Sequence, residues 1–184
     1  MKLKFIILHI ALGLLFSAEN PTGIINDTGF QYSVKSNGNG LVKFSSPECT
    51  FDSFEGDDEK IYKKPILSNP SFTSEAGLPD LPSRTTFIAV DPSKNYTLEV
   101  TYGFSRSVEN IDIAPKGSWD NDDNEIISTS MSYGSIESFY PEKIATISEP
   151  MAMRELSLLT LTVSPFRYFP EEKRLEEFLD IEIE

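Results

Sequence analysis

The sequence predicts an all-β protein: an antiparallel β-sandwich of jelly-roll-like architecture, with little or no helix after an N-terminal leader. Short runs of alternating apolar and polar residues fill the chain from residue 30 onward, and turn-forming residues interrupt them roughly every eight to fifteen positions. After the leader, no window places apolar residues at the i, i+3, i+4, i+7 spacing of an amphipathic helix. We therefore expect one sandwich domain over residues 30–184.

The leader, residues 1–18, has the features of a secretory signal peptide. Two lysines precede an apolar run of about twelve residues, from Phe5 to Phe16, which is too short to span a bilayer. An N-terminal core helix is the alternative interpretation. We expect a signal peptide over 1–18 and a flexible, polar lead-in over 19–29. The protein would then be secreted or held in the periplasm or at the cell surface, with no membrane contact after cleavage.

The residues needed for most catalytic sites are missing from the chain after the leader. Its one histidine, His9, lies in the leader, and its one cysteine, Cys49, has no second cysteine to bond and no base near it in sequence. A mature chain without histidine cannot form a Cys–His pair, a Ser–His–Asp triad or a histidine metal site. We predict that the chain is not an enzyme and needs no cofactor, and that Cys49 is an ordinary core or surface thiol.

The charge of the chain limits its partners. The formal net charge is −13, with 29 acidic and 16 basic residues. Such a chain repels nucleic acid phosphates and anionic lipid headgroups. We therefore expect neither nucleic acid nor a membrane surface as a partner. The acidic charge is better suited to a partner protein with a basic surface.

The first half of the domain contains four predicted strands, of which the first two form a hairpin. Phe30 to Val34 and Leu41 to Phe44 flank a Ser-Asn-Gly-Asn-Gly turn, and Asn-Gly is a strong hairpin signal because both residues tolerate positive φ. Thr85 to Val90 is an apolar run that ends at Asp-Pro. Tyr96 to Phe104 alternates with period two, which predicts a half-buried strand. Its predicted apolar face consists of Leu98, Val100, Tyr102 and Phe104.

The C-terminal part predicts a second hairpin. The segment Glu149 to Glu155 is a candidate for one helical turn, and Leu156 to Tyr168 reads as one long strand. A turn over 169–173 leads into a return strand from Arg174 to Ile183. This last strand must be paired on its edge, because an apolar strand with a free edge would aggregate. Its predicted inner face consists of Leu175, Leu179, Ile181 and Ile183.

Three ordered segments of the chain, within residues 75–184, resemble the propeptide of the gingipain family (peptidase family C25). They are Gly77–Pro82 with the apolar run Phe87–Pro92, then Phe139–Pro141, and then Ser148–Glu155 with the strands Leu161–Tyr168 and Leu179–Ile183.

The resemblance implies a β-sandwich propeptide of a secreted cysteine endopeptidase. Such a propeptide assists folding of its cognate peptidase domain and inhibits it by covering the active-site cleft until the linker is cut. Covalent linkage supplies a high effective concentration, so that modest affinity suffices. The alternative interpretation is a cell-surface β-sandwich module for adhesion or carbohydrate binding.

The resemblance also implies that an exposed loop carries a basic side chain into the specificity pocket of the partner. The candidate loop is 113–125, in which Lys116 is the only basic residue and Trp119 the only aromatic one. Arg106 is the second candidate cation. The alternative is a solvated lysine with a tryptophan packed on the sandwich.

Two smaller predictions concern structure and metal. Arg154, with Pro150 before it, is expected to pair with a carboxylate and hold a corner ahead of the long strand. Asp120, Asp122 and Asn124 place oxygen ligands close together, as in part of a calcium loop, although the glycine and glutamate at the usual sixth and twelfth positions are missing. A solvated acidic loop without metal is the alternative.

Overall fold

The structure is a computed structural model, and every regular element that it describes is a strand. The all-β prediction is therefore confirmed, and the described part holds no helix long and apolar enough to cross a membrane. The predicted signal peptide and nearly all of the lead-in lie outside the described residues. The structure describes residues 29–184 apart from positions 47–48, 57, 73–74, 120–124, 127–132, 134–135 and 137.

The strands, numbered along the chain, pair only in the antiparallel sense. They are β1 (Phe30–Val34), β2 (Gly40–Ser45), β3 (Thr50–Glu55), β4 (Ile61–Ile66), β5 (Ser71–Phe72), β6 (Pro82–Val90), β7 (Val100–Tyr102), β8 (Ser105–Val108), β9 (Ser118–Trp119), β10 (Glu125–Ile126), β11 (Ala145–Ile147), β12 (Met151–Met153), β13 (Leu156–Val163), β14 (Phe166–Phe169), β15 (Arg174–Phe178) and β16 (Asp180–Ile183).

Two large sheets form the body of the domain. The first has the strand order β1-β2-β16-β7, and the second has the order β11-β13-β6-β5, with β12 also paired to β13. A smaller sheet has the order β14-β15-β8, and β3-β4 and β9-β10 are two-stranded. The last strand, β16, lies between β2 and β7, so its edges are both paired, as the sequence predicted.

The two large sheets contribute to one hydrophobic cluster, which gives the predicted sandwich its core. Along β2 and β13, buried side chains alternate with more exposed ones, as expected of a strand with one face against a core. The first sheet contributes Phe30, Val42, Phe44, Ile181 and Ile183, and the second contributes Ala145, Leu159, Leu161 and Val163.

A second cluster lies under the small β14-β15-β8 sheet. It includes Ile111, which precedes the candidate loop, and Ile113, the first residue of that loop, so this stretch of chain is anchored in the body of the domain. Its buried members are Cys49, Leu67, Leu81, Ile111, Ile113, Phe166, Tyr168 and Leu175.

The N-terminal hairpin is confirmed. Phe30 of β1 lies opposite Phe44 of β2, and the two rings are 4.9 Å apart. In the turn, Gly38 has a φ of +87° and its N–H donates to the carbonyl of Lys35 at 2.9 Å. Glycine allows this left-handed conformation at little steric cost, which is why the Asn-Gly signal predicted the turn correctly.

The predicted strand over 96–104 is shorter in the structure. Only β7 forms, and it is followed at once by β8, which belongs to a different sheet. The first part of the run packs on the core as predicted, but Tyr102 and Phe104 are 47% and 65% exposed. The chain changes sheets at Gly103, and a glycine without a side chain to pack is a common site for such a bend.

The two long C-terminal strands are each broken where sequence analysis predicted continuity. Between β13 and β14 the chain passes through Ser164 and Pro165, and proline has no N–H to continue a ladder. The return strand breaks at Leu179 into β15 and β16, which lie in different sheets. The predicted alternation fails there, since Glu177 and Phe178 are both buried.

The helical turn predicted over 149–155 is wrong. Residues 151–153 form β12, which pairs with β13 through a turn of two residues. The Met-Ala-Met segment lies beside the long strand β13 and pairs with it. Tertiary pairing therefore outweighs the weak local helix preference.

Candidate functional site

The candidate loop begins on a buried, hydrogen-bonded segment, not on an exposed one as the sequence predicted. Ile113 and Ala114 are fully buried. The Ala114 N–H donates to the Lys63 carbonyl at 2.9 Å, and the Asp80 N–H donates to the Ala114 carbonyl at 2.8 Å. The Lys116 N–H donates to the Leu78 carbonyl at 2.7 Å. The segment is therefore held on both sides by the chain.

The side chain of Lys116 faces a buried carboxylate. Its Nζ lies 3.9 Å from Oδ1 of Asp80, and the Lys116 side chain is 14% exposed. Lys64 approaches the other oxygen of Asp80 at 2.7 Å. Asp80, at 2% exposure, belongs to the Gly-Leu-Pro-Asp-Leu-Pro segment, so that this motif anchors the start of the candidate loop. Lys116 would have to leave Asp80 before it could enter a partner's pocket.

One buried tyrosine and one partly buried tyrosine hold the same segment from the core side. The Tyr168 hydroxyl donates to the Ile111 carbonyl at 3.1 Å, and the Tyr133 hydroxyl donates to the Ile113 carbonyl. Burial raises the pKa of Tyr168 to about 12 and raises that of Tyr133 further. Neither tyrosine could be selected from the sequence, because nothing in the local pattern separates a hydrogen-bonded tyrosine from a packed one.

Tyr168→Phe is expected to lower the free energy of unfolding by about 1–3 kcal/mol, because it leaves the Ile111 carbonyl buried without its donor. Chemical denaturation near neutral pH measures this difference. A stability equal to that of the wild type would show that the hydroxyl is not needed there.

The raised pKa of Tyr168 predicts a loss of stability in alkali. An unfolded tyrosine ionises near pH 10 and the folded one near pH 12, so stability falls as the pH rises through this window. The slope due to this residue is at most about 1.4 kcal/mol per pH unit. Tyr168→Phe removes that slope, and denaturation at several pH values compares the two proteins.

The described residues that follow in the candidate loop belong to the paired strands β9 and β10. Trp119 lies in β9 opposite Glu125 of β10. The proposed calcium ligands Asp120, Asp122 and Asn124 lie outside the described residues. Among the residues that the structure does describe, no group of three or more metal-ligating side chains forms.

Arg106, the second candidate cation, lies in β8 and forms an ion pair with the neighbouring strand β15. Its Nε donates to Oε2 of Glu177 at 2.9 Å, and its Nη2 reaches the same oxygen. Glu177 is 1% exposed, whereas the Arg106 side chain is 38% exposed. A buried carboxylate needs such a partner. The geometry therefore gives Arg106 a role in stability, and a role in inhibition stays a prediction.

The predicted corner at Arg154 is wrong. Arg154 is exposed and occupies the first position of the turn between β12 and β13, with a φ of +58°. Pro150 is partly exposed just before β12. Arginine was expected to pair because it precedes an apolar strand, but the hairpin carries it to an outer tip.

Cys49 is a buried thiol of the second cluster. Burial, helped by the nearby charge of Glu177, raises its pKa to about 11. The thiolate is the reactive form, so at pH 8 the folded chain holds roughly two orders of magnitude less of it than a free cysteine would. The prediction of an ordinary core thiol agrees with this environment.

We expect Cys49 to react with Ellman's reagent at least about 100-fold more slowly in the folded chain than after denaturation at the same pH. The absorbance of the released thiolate measures both rates. Equal rates would show that the thiol is open to solvent.

These features describe an all-β domain with a sandwich core, in which the candidate cations face buried carboxylates. No histidine stands among the described residues, since the only one is His9, and the basic side chains at Lys116 and Arg106 are engaged in ion pairs. The family Propeptide_C25 matches residues 32–184, so the chain belongs to the C25 peptidase propeptides. It is a propeptide domain of a cysteine peptidase precursor and not the catalytic domain.

Two solved structures share this fold. One chain of the complex of pro- and mature domains of RgpB from Porphyromonas gingivalis has a TM-score of 0.70 and 21% identity, over 86% of this chain and 84% of that chain. A structure of gingipain K from the same organism, which concerns its zymogenic latency, has a TM-score of 0.66 and 15% identity. The match covers 91% of this chain and 95% of that chain. Among curated proteins, none matches the sequence.

Proposed function

We propose that this propeptide inhibits the C25 peptidase domain of its own precursor by covering the active-site cleft, and that it assists the folding of that domain. The match to the propeptide family over residues 32–184 carries the proposal. The similar RgpB structure is a complex of pro- and mature domains, which supports the peptidase domain as the partner. The adhesion or carbohydrate-binding alternative is not favoured by any of these comparisons.

The mechanism needs only a rigid surface and a tether. A docked sandwich excludes substrate from the cleft, and linkage within one chain keeps the local concentration high. Cutting the linker removes this advantage, so that an inhibitor of modest affinity leaves. An exported precursor of this kind fits the proposed signal peptide at residues 1–18, and the N-terminal sequence of the secreted protein tests that assignment.

The experiment adds the purified chain to the mature C25 peptidase domain of the same precursor. We expect saturable, slowly reversible inhibition of the cleavage of a small peptide substrate. No inhibition at high micromolar concentrations contradicts the proposal. Chelation of divalent metals is expected to leave inhibition unchanged, since the mechanism uses no cofactor.

Lys116→Ala tests the candidate loop. If Lys116 leaves Asp80 and enters the specificity pocket, inhibition weakens about tenfold or more, because a buried charged contact at the centre of an interface is lost. Lys60→Ala is the control, since Lys60 is 59% exposed and pairs only weakly with Asp58 at the surface. If Lys116→Ala inhibits as well as the wild type, Lys116 serves only the ion pair with Asp80. Arg106 and Trp119 then remain as candidates for the contact with the specificity pocket.

A further inference from the structure

The outer face of the second large sheet is apolar and exposed. Along β13 the side chains of Leu159, Leu161 and Val163 point into the core, so Leu156 and Leu158 point outward. Strand register places Met153 beside Leu156, Met151 beside Leu158, and Ala89 on the other side of Leu158. Phe87 follows one row further along, opposite Thr160. The outer face is defined here as Phe87, Ala89, Met151, Met153, Leu156 and Leu158.

Exposure of the outer face is large. Phe87 is 59% exposed, Met153 56%, Leu156 54% and Met151 48%. The other outward positions of these strands, Thr85, Thr160 and Thr162, are uncharged too. A contiguous stretch without charge is unusual on a chain with 29 acidic and 16 basic residues. Exposed apolar patches on a soluble domain commonly mark a surface for another protein.

The tip of the β12–β13 hairpin places two exposed charged residues, Arg154 and Glu155, at one end of the outer face. Arg154 stands between Met153 and Leu156 in sequence order and has a φ of +58°, a conformation that glycine or asparagine adopts more easily. Turn geometry therefore does not explain an arginine there. The methionines are flexible and polarisable, which suits a surface that adapts to a partner.

We propose that the outer face docks on the C25 peptidase domain, with Arg154 against a carboxylate of that domain. This inference rests on the proposed function and assigns the surface that performs it. A second copy of the chain is the less suitable occupant, because two molecules that each carry a net charge of −13 repel one another. The peptidase domain is the partner that the family and the fold supply.

The test replaces three members of the outer face by threonine, which keeps strand preference and removes apolar area. The face variant is Phe87→Thr, Met153→Thr and Leu156→Thr together. The control variant is Val34→Thr, Ile61→Thr and Phe104→Thr, whose apolar side chains are 56%, 54% and 65% exposed elsewhere. The dissociation constant for the mature peptidase domain is measured for both. We expect the face variant to bind at least about 30-fold more weakly and the control within about threefold.

The outcomes separate this inference from the proposed function. If the wild type inhibits and the face variant inhibits equally well, or if the control variant loses as much as the face variant, the docking assignment is overturned and the proposed function stands. If the wild type does not inhibit, the proposed function itself fails. If sedimentation shows a wild-type dimer that the face variant abolishes while inhibition is kept, a second copy occupies the face, and the assignment is again overturned.

A measurement without substitutions guards against a variant that fails to fold. Hydroxyl-radical oxidation of Met151 and Met153 is followed with and without the peptidase domain. We expect at least about fivefold protection of both methionines in the complex, with Phe104 unprotected. Equal oxidation in the two states contradicts docking through this face.

The hairpin tip has its own matched pair of variants. Arg154→Gly removes the cation and keeps a residue suited to positive φ, and Lys173→Gly does the same at another exposed turn, where φ is +48°. We expect Arg154→Gly to weaken binding about five- to tenfold, with the loss shrinking at high salt, and Lys173→Gly to have no effect. Equal binding by the two variants removes Arg154 from the proposed contact.

Discussion

Arg106→Ala is expected to destabilise the domain by about 3 kcal/mol, a large part of the roughly 5–15 kcal/mol that holds a domain of this kind together. The substitution removes the guanidinium that binds Oε2 of Glu177, and Glu177 is 1% exposed. A carboxylate left buried without its cation must take up a proton or draw water into the core. Thermal unfolding should shift down by roughly 6–12 °C.

A double variant separates the loss of the pair from the loss of packing. In Arg106→Met with Glu177→Met, both charges are replaced by apolar side chains of similar length, and we expect most of the stability to return, because no charge is left buried. A double variant as unstable as Arg106→Ala would show that the buried charge is not the cause. The same experiment decides whether Arg106 is a structural residue, since inhibition should survive in a stable double variant.

Phe44→Ala is expected to lower the free energy of unfolding by about 3–5 kcal/mol. Phe44 is fully buried between the two large sheets, and its ring lies 4.9 Å from that of Phe30. Removal of the ring loses its transfer free energy and leaves a cavity that the surrounding strands cannot fully close. Chemical denaturation measures the change.

Phe104→Ala is the matched control, since the same atoms are removed from a side chain that is 65% exposed. We expect a change within about 0.5 kcal/mol. Phe87→Ala, at 59% exposure, should likewise leave stability almost unchanged while it weakens binding to the peptidase domain. A large loss of stability at Phe87 would indicate that this side chain serves the fold instead of a partner.

Local pattern was a good guide where a strand is short and has one buried face. The hairpin of Phe30–Val34 and Gly40–Ser45 was predicted from alternation and from Asn-Gly, and Asp-Pro marked the end of the strand Pro82–Val90. These signals act within a few residues, so that no knowledge of the distant chain is needed to interpret them.

Local pattern failed where a strand leaves one sheet and enters another. The breaks at Gly103, Pro165 and Leu179 separate strands that belong to different sheets, and periodicity across such a break continues in sequence without continuing in space. The helical turn predicted at 149–155 failed for a related reason: β12 exists because β13 lies beside it.

The same contrast between local pattern and distant contacts applies to single residues of the candidate site. The sequence selected Lys116 and Arg106 as basic residues in polar surroundings. Their partners Asp80 and Glu177 lie far from them in sequence, and both are buried carboxylates that composition alone would place at the surface.

The sequence by itself determined the class of fold, the absence of histidine after His9, the acidic charge and the propeptide family, because each of these depends on composition or on short-range order. Only the tertiary structure decided which cations are engaged in ion pairs and which apolar side chains stay exposed. Burial and charge pairing depend on strand partners far apart in the chain. For that reason the sequence placed Arg154 at a corner, whereas the structure places it at an exposed hairpin tip. The outer face beside it could likewise be recognised only in the structure.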